Sequence, residues 1–492
     1  MRLKTDLHIL QVNIMMRRCK IDSLMDKTIY WSMMGILMFS LLAFPICNYV
    51  LMSSYPEIFS YREWIWITGA IVLIWLVWKS CRGFWLESYW ISPCKVGFLV
   101  SNFAFVSVLL SYDTQPVSDW AFVWKAANEM ANGQFVDGVV KGTYMHEIPY
   151  QIGLAWIESF FIRVFGSTYL PLKLFNLVLL NMITMATYHF AKRKASYEVA
   201  NFAYVAACMF LCYLMTVGQF TNHQLGFVFL YLSLYLYEKG RFLTCCCAGF
   251  MVALLNFVRP MGVMVVATII VYSIYLLFQQ AKKISIISNL LGFFVSYKLI
   301  LLLLDLMLLN MNYTDEYVSR STRNLYHKIS YTAYESKVDG RIAEFDYNYE
   351  AYNDAYKKEM IDMVINHPKE LMTNVVNKIV RYLGMMDYLF EMTYDHNESV
   401  WQKYPIKAIY SIQWFQYVLF LVIALYGYNR YRKTHNSDIY QIFFIGNTLI
   451  YLFVEAYSGY RFINYFYLLF LVGYGFNEYH QSIMDRKEKQ IA

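Results

Sequence analysis

Two carboxylates stand close together in the polar stretch Tyr112–Phe135. Asp113 directly follows an apolar run long enough to cross a bilayer, and Asp119 comes six positions later. If Ser118 caps a helix from Asp119 to Ala131, Asp119 lies in its first turn, where the helix dipole favours an ionised carboxylate. Such a group at a membrane edge accepts a proton from a hydroxyl or binds a cation. The alternative is that Asp119 is only a favourable helix-start residue.

Two arginines lie within the predicted membrane region. Arg259 joins two apolar runs, and Arg461 lies at the start of the last apolar run of the chain. An arginine at membrane depth is costly without a partner, so one interpretation is that these residues have a function. The alternative for Arg259 is a side chain at a helix end that extends its charge into water.

Other polar residues lie near these candidates in the sequence. His146 and Glu147 would line the same cavity as Asp119 or lie at the surface, and Glu455 either pairs with Arg461 or is a polar helix cap. His223, beside a turn, is interpreted as solvated. A divalent metal would need a third ligand that the sequence does not indicate, so no metal site is predicted and the cofactor stays open.

The composition is that of an integral membrane protein. Of the 492 residues, 58% are hydrophobic and 19% are aromatic, and the mean hydropathy is +0.35. Continuous apolar runs without alternation predict an all-α polytopic protein. We expect about twelve transmembrane helices, over residues 29–51, 63–79, 96–112, 170–190, 198–217, 221–237, 242–258, 260–278, 285–309, 409–428, 439–456 and 460–478.

Basic residues set the expected topology. The net charge is +7, but Lys and Arg cluster at the ends of apolar runs, as at 192–194, which indicates membrane orientation and not a nucleic-acid surface. All clusters lie on the cytoplasmic side if both termini do. None of the nine cysteines falls in the largest polar loop, so no disulfide framework is predicted.

This topology divides the chain into four parts. Residues 1–95 form a cytoplasmic arm and two transmembrane helices, and residues 96–310 form a transmembrane core with an outer loop at 113–169. Within that loop, a full crossing by Ile148–Phe165 would place later basic clusters outside, so we expect an interfacial helix there. Residues 311–408 form a small, mainly helical extracytoplasmic cap, with two helices separated at His367-Pro368. Residues 409–492 complete the transmembrane helices and a cytoplasmic tail.

Three segments resemble a known family. They read SDWAFVWKAANEMANGQF, YMHEIPYQIGLAWIESFFIRVFG and LPLKLFNLVLLNMITMATYHFAKRK. Together they are similar to the start of GT-C superfamily membrane glycosyltransferases, in the aminoarabinose-transferase and protein-mannosyltransferase-like group (glycosyltransferase family 39-like). Ser118-Asp119, Trp124, Ala127 and Gly133 match the family spacing. The resemblance covers residues 96 to 478, is strongest to about 194, and departs where Gly459 stands at the family arginine and Arg461 follows two positions later.

The resemblance implies an enzyme at the outer face of a cell membrane. The sugar donor would be a polyprenyl phosphate or diphosphate, and the acceptor a cell-surface glycan, lipid or protein. Transfer would invert the anomeric carbon, with Asp119 as base and Asp113 orienting the acceptor or a metal. Arg259 and Arg461 would bind the donor phosphate.

Two other functions would use similar residues. A flippase or transporter of a lipid-linked saccharide also needs a polar path, and a polysaccharide polymerase shares the chemistry with a different substrate. Charged residues are sparse inside the apolar runs and concentrate on one predicted outer face, which favours a surface-acting transferase. The sequence does not identify the sugar, the acceptor or the oligomeric state.

Overall fold

The chain is all-helical wherever its structure is described. The computed structural model describes residues 24–42, 93–111, 114–279, 283–315, 342–345, 348–384, 400–453 and 458–491. Residues 24–42 form helix α1. The further helices are α2 (Pro93–Ser111), α3 (Asp119–Ala131), α4 (Tyr144–Glu147), α5 (Ile152–Phe165), α6 (Leu170–Lys194), α7 (Tyr197–Cys208), α8 (Leu211–Thr216), α9 (Asn222–Glu238), α10 (Phe242–Val258), α11 (Gly262–Gln279), α12 (Lys283–Asn310), α13 (Tyr349–Asn366), α14 (Pro368–Gly384), α15 (Val400–Tyr431), α16 (Ile439–Phe453) and α17 (Tyr465–Ile491). Short 3₁₀ segments cover Pro149–Gln151, Ile342–Phe345 and Ser458–Asn464.

Three of the described helices are long and apolar enough to cross a membrane: α6, α11 and α12. Shorter apolar helices cover Cys94–Leu110, Phe242–Val258 and Ile439–Tyr451. These helices indicate membrane association, but the predicted count of about twelve spans is not confirmed. The span predicted at 63–79 lies outside the described residues.

The span predicted over residues 198–217 is not one continuous helix, because two helices meet there. α7 ends at Cys208 and α8 begins at Leu211. The side chain of Gln416 satisfies the interrupted backbone: its amide donates to the carbonyl of Met209 (2.7 Å) and its oxygen accepts from the N–H of Leu211 (2.8 Å). A glutamine on α15 therefore supplies the partners that a continuous helix would supply internally.

The helix expected at an interface is present and short. α5 has 14 residues, about 21 Å at 1.5 Å per residue, which is less than the roughly 30 Å core of a bilayer. It packs against α3, where Arg163 donates to the carbonyl of Met130 (2.7 Å). It also approaches α10 closely, since a Cβ on Gly153 would lie 1.9 Å from the carbonyl oxygen of Phe257. These contacts fix α3 and α5 as one unit on the helical bundle.

The predicted break at His367-Pro368 is confirmed. α13 ends at Asn366 and α14 begins at Pro368, whose ring suits the first position of a helix. Near its end, α14 packs on the bundle through the buried Tyr382, which stacks on Tyr451 of α16 with 5.2 Å between ring centroids. The helical part of residues 311–408 thus has a fixed attachment to the bundle.

Close packing of α10 on α12 generates the first prediction. A Cβ on Gly249 would lie 2.3 Å from the carbonyl oxygen of Phe293, so Gly249→Ala forces the helices apart. We expect a lower melting temperature in detergent, with a loss of about 1–3 kcal/mol from overpacking. The control is Gly446→Ala, where a Cβ would meet only Thr268 at 3.9 Å and the gain in helix propensity should show. Equal melting temperatures for the two variants would contradict the packing.

Candidate functional site

Asp119 is the first residue of α3, as predicted, but Ser118 does not cap the helix. The Ser118 side chain makes no capping hydrogen bond, and its backbone has φ 53°, a region that residues other than glycine rarely adopt. The interpretation of Ser118 as a side-chain cap is therefore wrong. Asp119 itself is exposed, and its place in the first turn puts its charge at the positive end of the helix.

Tyr144 lies beside Asp119. Burial raises the pKa of Tyr144 far above its ordinary value, and the nearby Asp119 carboxylate raises it further. The Tyr144 ring stacks on Phe122 of α3 at 4.8 Å between centroids. A phenol that keeps its proton next to an ionised carboxylate is a hydrogen-bond donor at this position.

The residues after Tyr144 connect this site to the end of α12. His146 is buried, and its Nε2 lies 3.5 Å from a carboxylate oxygen of Asp315. Glu147 next to it is half-buried. Among the described residues, no group of three or more His, Cys, Asp and Glu side chains is placed to hold a metal ion.

Arg259 lies between α10 and α11 and is 4% exposed. Its Nη1 donates to Oδ1 of Asn222 and to Nδ1 of His223, both at 2.9 Å. Its Nε donates to the sulfur of Met261 at 3.0 Å, and its guanidinium lies 5.1 Å from the ring centroid of Tyr460. The side chain is thus held in one orientation from several directions.

All of these partners are neutral. Within the part of the chain that the structure describes, no carboxylate forms an ion pair with Arg259, and Nη2 has no hydrogen-bond partner. A buried guanidinium without a counter-charge is costly, because burial removes the stabilisation by water. An anion that accepts from Nη2 would supply both the missing charge and the missing hydrogen bonds.

The helix that begins at Asp119 also contacts the Arg259 cluster. Trp120, the second residue of α3, meets His223 edge to face, with 6.2 Å between ring centroids. Asn222, which accepts from Arg259, donates to the side chain of Gln151 at 3.4 Å. The structure therefore brings the predicted base and the predicted anion-binding arginine to one region.

The chain was compared with protein-family models, curated proteins and solved structures. No family model matches the chain, and no curated protein matches it. Among solved structures, the chain is similar to the archaeal oligosaccharyltransferase AglB from Archaeoglobus fulgidus in complex with an inhibitory peptide and a dolichol-phosphate. The identity is 10%, the TM-score is 0.46, and the match covers 83% of this chain and 52% of the AglB chain. The chain thus spans about half the length of AglB.

The described contacts of Arg461 differ from those of Arg259. Its Nη1 donates to the carbonyl of Leu383 (3.0 Å) and lies 3.5 Å from the hydroxyl of Tyr417. The neighbouring Tyr460 is the residue that contacts Arg259. The 3₁₀ segment Ser458–Asn464 therefore directs consecutive side chains to different partners.

Two of the predicted site residues, Asp113 and Glu455, lie outside the described residues.

The sequence interpretation missed His223 and Tyr460. His223 is 5% exposed and contacts Arg259, so the expectation of a solvated histidine is wrong. Its burial follows from packing between α3, α10 and the segment before α17, which brings Trp120, Arg259 and Tyr460 around it. No local signal in the sequence indicates these contacts.

A second buried charge-bearing group lies in α5. Glu158 is 2% exposed, and its Oε2 has no hydrogen-bond partner. Burial raises the pKa of Glu158 well above its ordinary value of 4.5. The folded protein therefore keeps this carboxyl protonated at pH values where the unfolded chain releases the proton.

The protonation of Glu158 makes stability depend on pH. Because the folded pKa is raised, the contribution is intact below pH 4.5 and is lost as pH rises toward the folded pKa. Glu158→Gln carries no such proton, so the variant should gain melting temperature over the parent chain as pH rises from about 5 to 8 in detergent. The exposed Glu370→Gln is the control. A constant difference between Glu158→Gln and the parent chain across this range would contradict a protonated Glu158.

Proposed function

We propose that the chain is an integral membrane glycosyltransferase that moves a sugar from a polyprenyl-phosphate-linked donor to a cell-surface glycan, lipid or protein. The observation that carries this proposal is the buried Arg259, whose described partners are all neutral, in the same region as the exposed Asp119. A lipid-linked donor suits a chain with helices long and apolar enough to cross a bilayer. The resemblance of residues 96 to 194 to GT-C enzymes supports the same function.

The donor phosphate would bind at Arg259. Nη2 supplies two N–H donors for phosphate oxygens, while Nη1 and Nε stay bonded to protein atoms. The N-termini of α9 and α11 lie at this arginine, since Asn222 starts α9 and Met261 precedes Gly262, the first residue of α11. Their dipoles add positive potential where the leaving phosphate gains charge. Arg461 remains the second candidate for this phosphate, and through its contacts with Leu383 and Tyr417 it would also support the region around Arg259.

Asp119 would act as the base. The acceptor hydroxyl attacks the anomeric carbon, and the bond from that carbon to the phosphate oxygen breaks, so the phosphate leaves with the electron pair. The hydroxyl proton passes to the Asp119 carboxylate, and attack opposite the leaving phosphate inverts the configuration. Tyr144, beside Asp119 and protonated, would donate a hydrogen bond to the carboxylate or to the acceptor. His146 and Glu147, in the same short helix α4 as Tyr144, would line the cavity or contact the acceptor.

The topology that follows from this proposal places the site on the extracytoplasmic side of a multi-pass protein of the cell membrane. Both termini are cytoplasmic, and the outer loop 113–169 carries the chemistry. The length of α5 supports an interfacial position in that loop. The described helices of the predicted cap, α13 and α14, would lie over the site.

Replacement of Asp119 by Asn tests the base. Asn keeps the size of the side chain but cannot accept the proton, so Asp119→Asn should reduce sugar transfer by at least about 10²-fold while the protein is still expressed and inserted. The measurement is transfer from a radiolabelled polyprenyl-phosphoryl sugar by the purified protein. The control is Glu198→Gln, an exposed carboxylate in the first turn of α7, which should transfer like the parent chain. Undiminished transfer by Asp119→Asn would overturn the assignment.

The same assay separates a transferase from a flippase. In detergent solution there are no separate compartments, so transport across a membrane cannot be measured. Transfer of the sugar in detergent therefore supports a transferase. Strict dependence on sealed vesicles would instead support transport of the lipid-linked saccharide.

A further inference from the structure

His223 contacts Arg259 through one ring nitrogen and has a second ring nitrogen on its other side. The ring nitrogen Nδ1 lies 2.9 Å from Nη1 of Arg259. A guanidinium only donates hydrogen bonds, so Nδ1 must be the acceptor and must carry no proton. The neutral ring therefore has its proton on Nε2, the nitrogen on the other side.

The ring of His223 is fixed in place by three aromatic side chains. It stacks on Tyr460 at 6.0 Å and meets Trp120 and Phe462 edge to face, each at 6.2 Å between centroids. The backbone N–H of His223 is bonded to the hydroxyl of Thr221, the residue that caps α9. Nε2 thus has a defined direction, and no atom in the described part of the chain accepts its proton.

We infer that His223 is a second phosphate-binding residue, whose Nε2–H donates to an oxygen of the same phosphate that Arg259 binds through Nη2. This inference rests on the proposed function, because it takes the anion at Arg259 to be the donor phosphate. Arg259 has two roles in it: it binds the anion directly and sets the tautomer of its neighbour. A neutral histidine adds a hydrogen bond to the anion but no second positive charge. A second buried positive charge would destabilise the site whenever the anion is absent.

If His223 had only a structural role, its substitutions would affect phosphate binding in a different order. If His223 only positions Arg259, then its acceptor nitrogen Nδ1 matters and its Nε2–H does not. Asn places an amide near the Nδ1 position, whereas Gln reaches the Nε2 position. His223→Asn therefore keeps an acceptor for Arg259 and removes the distal donor, and His223→Gln does the reverse.

The experiment measures binding of polyprenyl monophosphate to the full chain in nanodiscs, with the uncharged polyprenol of equal length as the reference ligand. We expect Arg259→Gln to abolish the preference for the phosphate and His223→Asn to weaken phosphate binding about tenfold, the loss of one hydrogen bond to a charged group. His223→Gln should bind more tightly than His223→Asn. The control His480→Asn changes an exposed histidine of α17 and should bind like the parent chain.

The outcomes separate this inference from the proposed function. Parent-like phosphate binding by His223→Asn, with the preference lost in Arg259→Gln, overturns the role of His223 and leaves the phosphate site at Arg259 intact. Parent-like binding by both variants overturns the phosphate site itself. Weaker binding by His223→Gln than by His223→Asn shows that the contact to Arg259 is what matters, and also overturns direct donation.

Nitrogen NMR of the imidazole gives a second measurement. If His223 only positioned Arg259, phosphate binding would not shift the Nε2 signal selectively. With ¹⁵N-labelled histidine, the signals missing from His223→Asn identify this ring. The free protein should show the tautomer protonated on Nε2, and polyprenyl monophosphate should shift the Nε2 signal more than the Nδ1 signal. A proton on Nδ1, or an Nε2 signal that the phosphate does not move, would refute the inference.

Discussion

The charge of Arg259, buried among neutral side chains, is the constraint on which the site depends. Taking an ion out of water costs several kcal/mol even after relaxation. Part of this cost is offset by hydrogen bonds to Asn222, His223 and Met261 and by a cation–π contact with Tyr460. None of these side chains carries a negative charge. An anion bound at Arg259, as we propose, would relieve this cost and would gain affinity from doing so.

The groups that hold Arg259 belong to elements far apart in the chain. A series of stacked rings runs from Tyr382 to Tyr451, Tyr460 and His223, with 4.8 to 6.0 Å between successive centroids. This series connects α14, the helix that follows His367, to the arginine. Arg461 secures the same connection from the other side through the carbonyl of Leu383. The predicted cap is therefore part of the support of the site, and movement of α14 would change the surroundings of Arg259.

Local signals in the sequence were sufficient for some features. The bounds of α3 follow from a polar start and a glycine after its end, and the break between α13 and α14 follows from one proline. The features that the sequence did not predict depend on residues far away in the chain. The interruption at Met209 is stabilised by Gln416, more than two hundred positions away, and the burial of His223 depends on Trp120 and Tyr460. The composition predicted a helical membrane protein. Hydropathy alone, however, does not show where side chains from distant helices bond to the backbone and stabilise an interruption in a helix.

The two ends of α9 differ in how their basic side chains are paired. At the end of α9, Glu238 pairs with Arg193 at 2.7 Å and also with Lys194, which in turn lies 3.6 Å from Asp438. These basic side chains therefore have acidic partners within the protein. At the start of α9, Arg259 has none among the described residues. Both ends are built from buried or half-buried polar groups, so burial alone does not distinguish them. The difference lies in the balance of charge: the cations at one end are neutralised by the chain, whereas the cation at the other needs an anion from outside it. An enzyme with a lipid-phosphate donor requires this asymmetry, because only a cation that is not already paired can stabilise a departing phosphate without first breaking an ion pair.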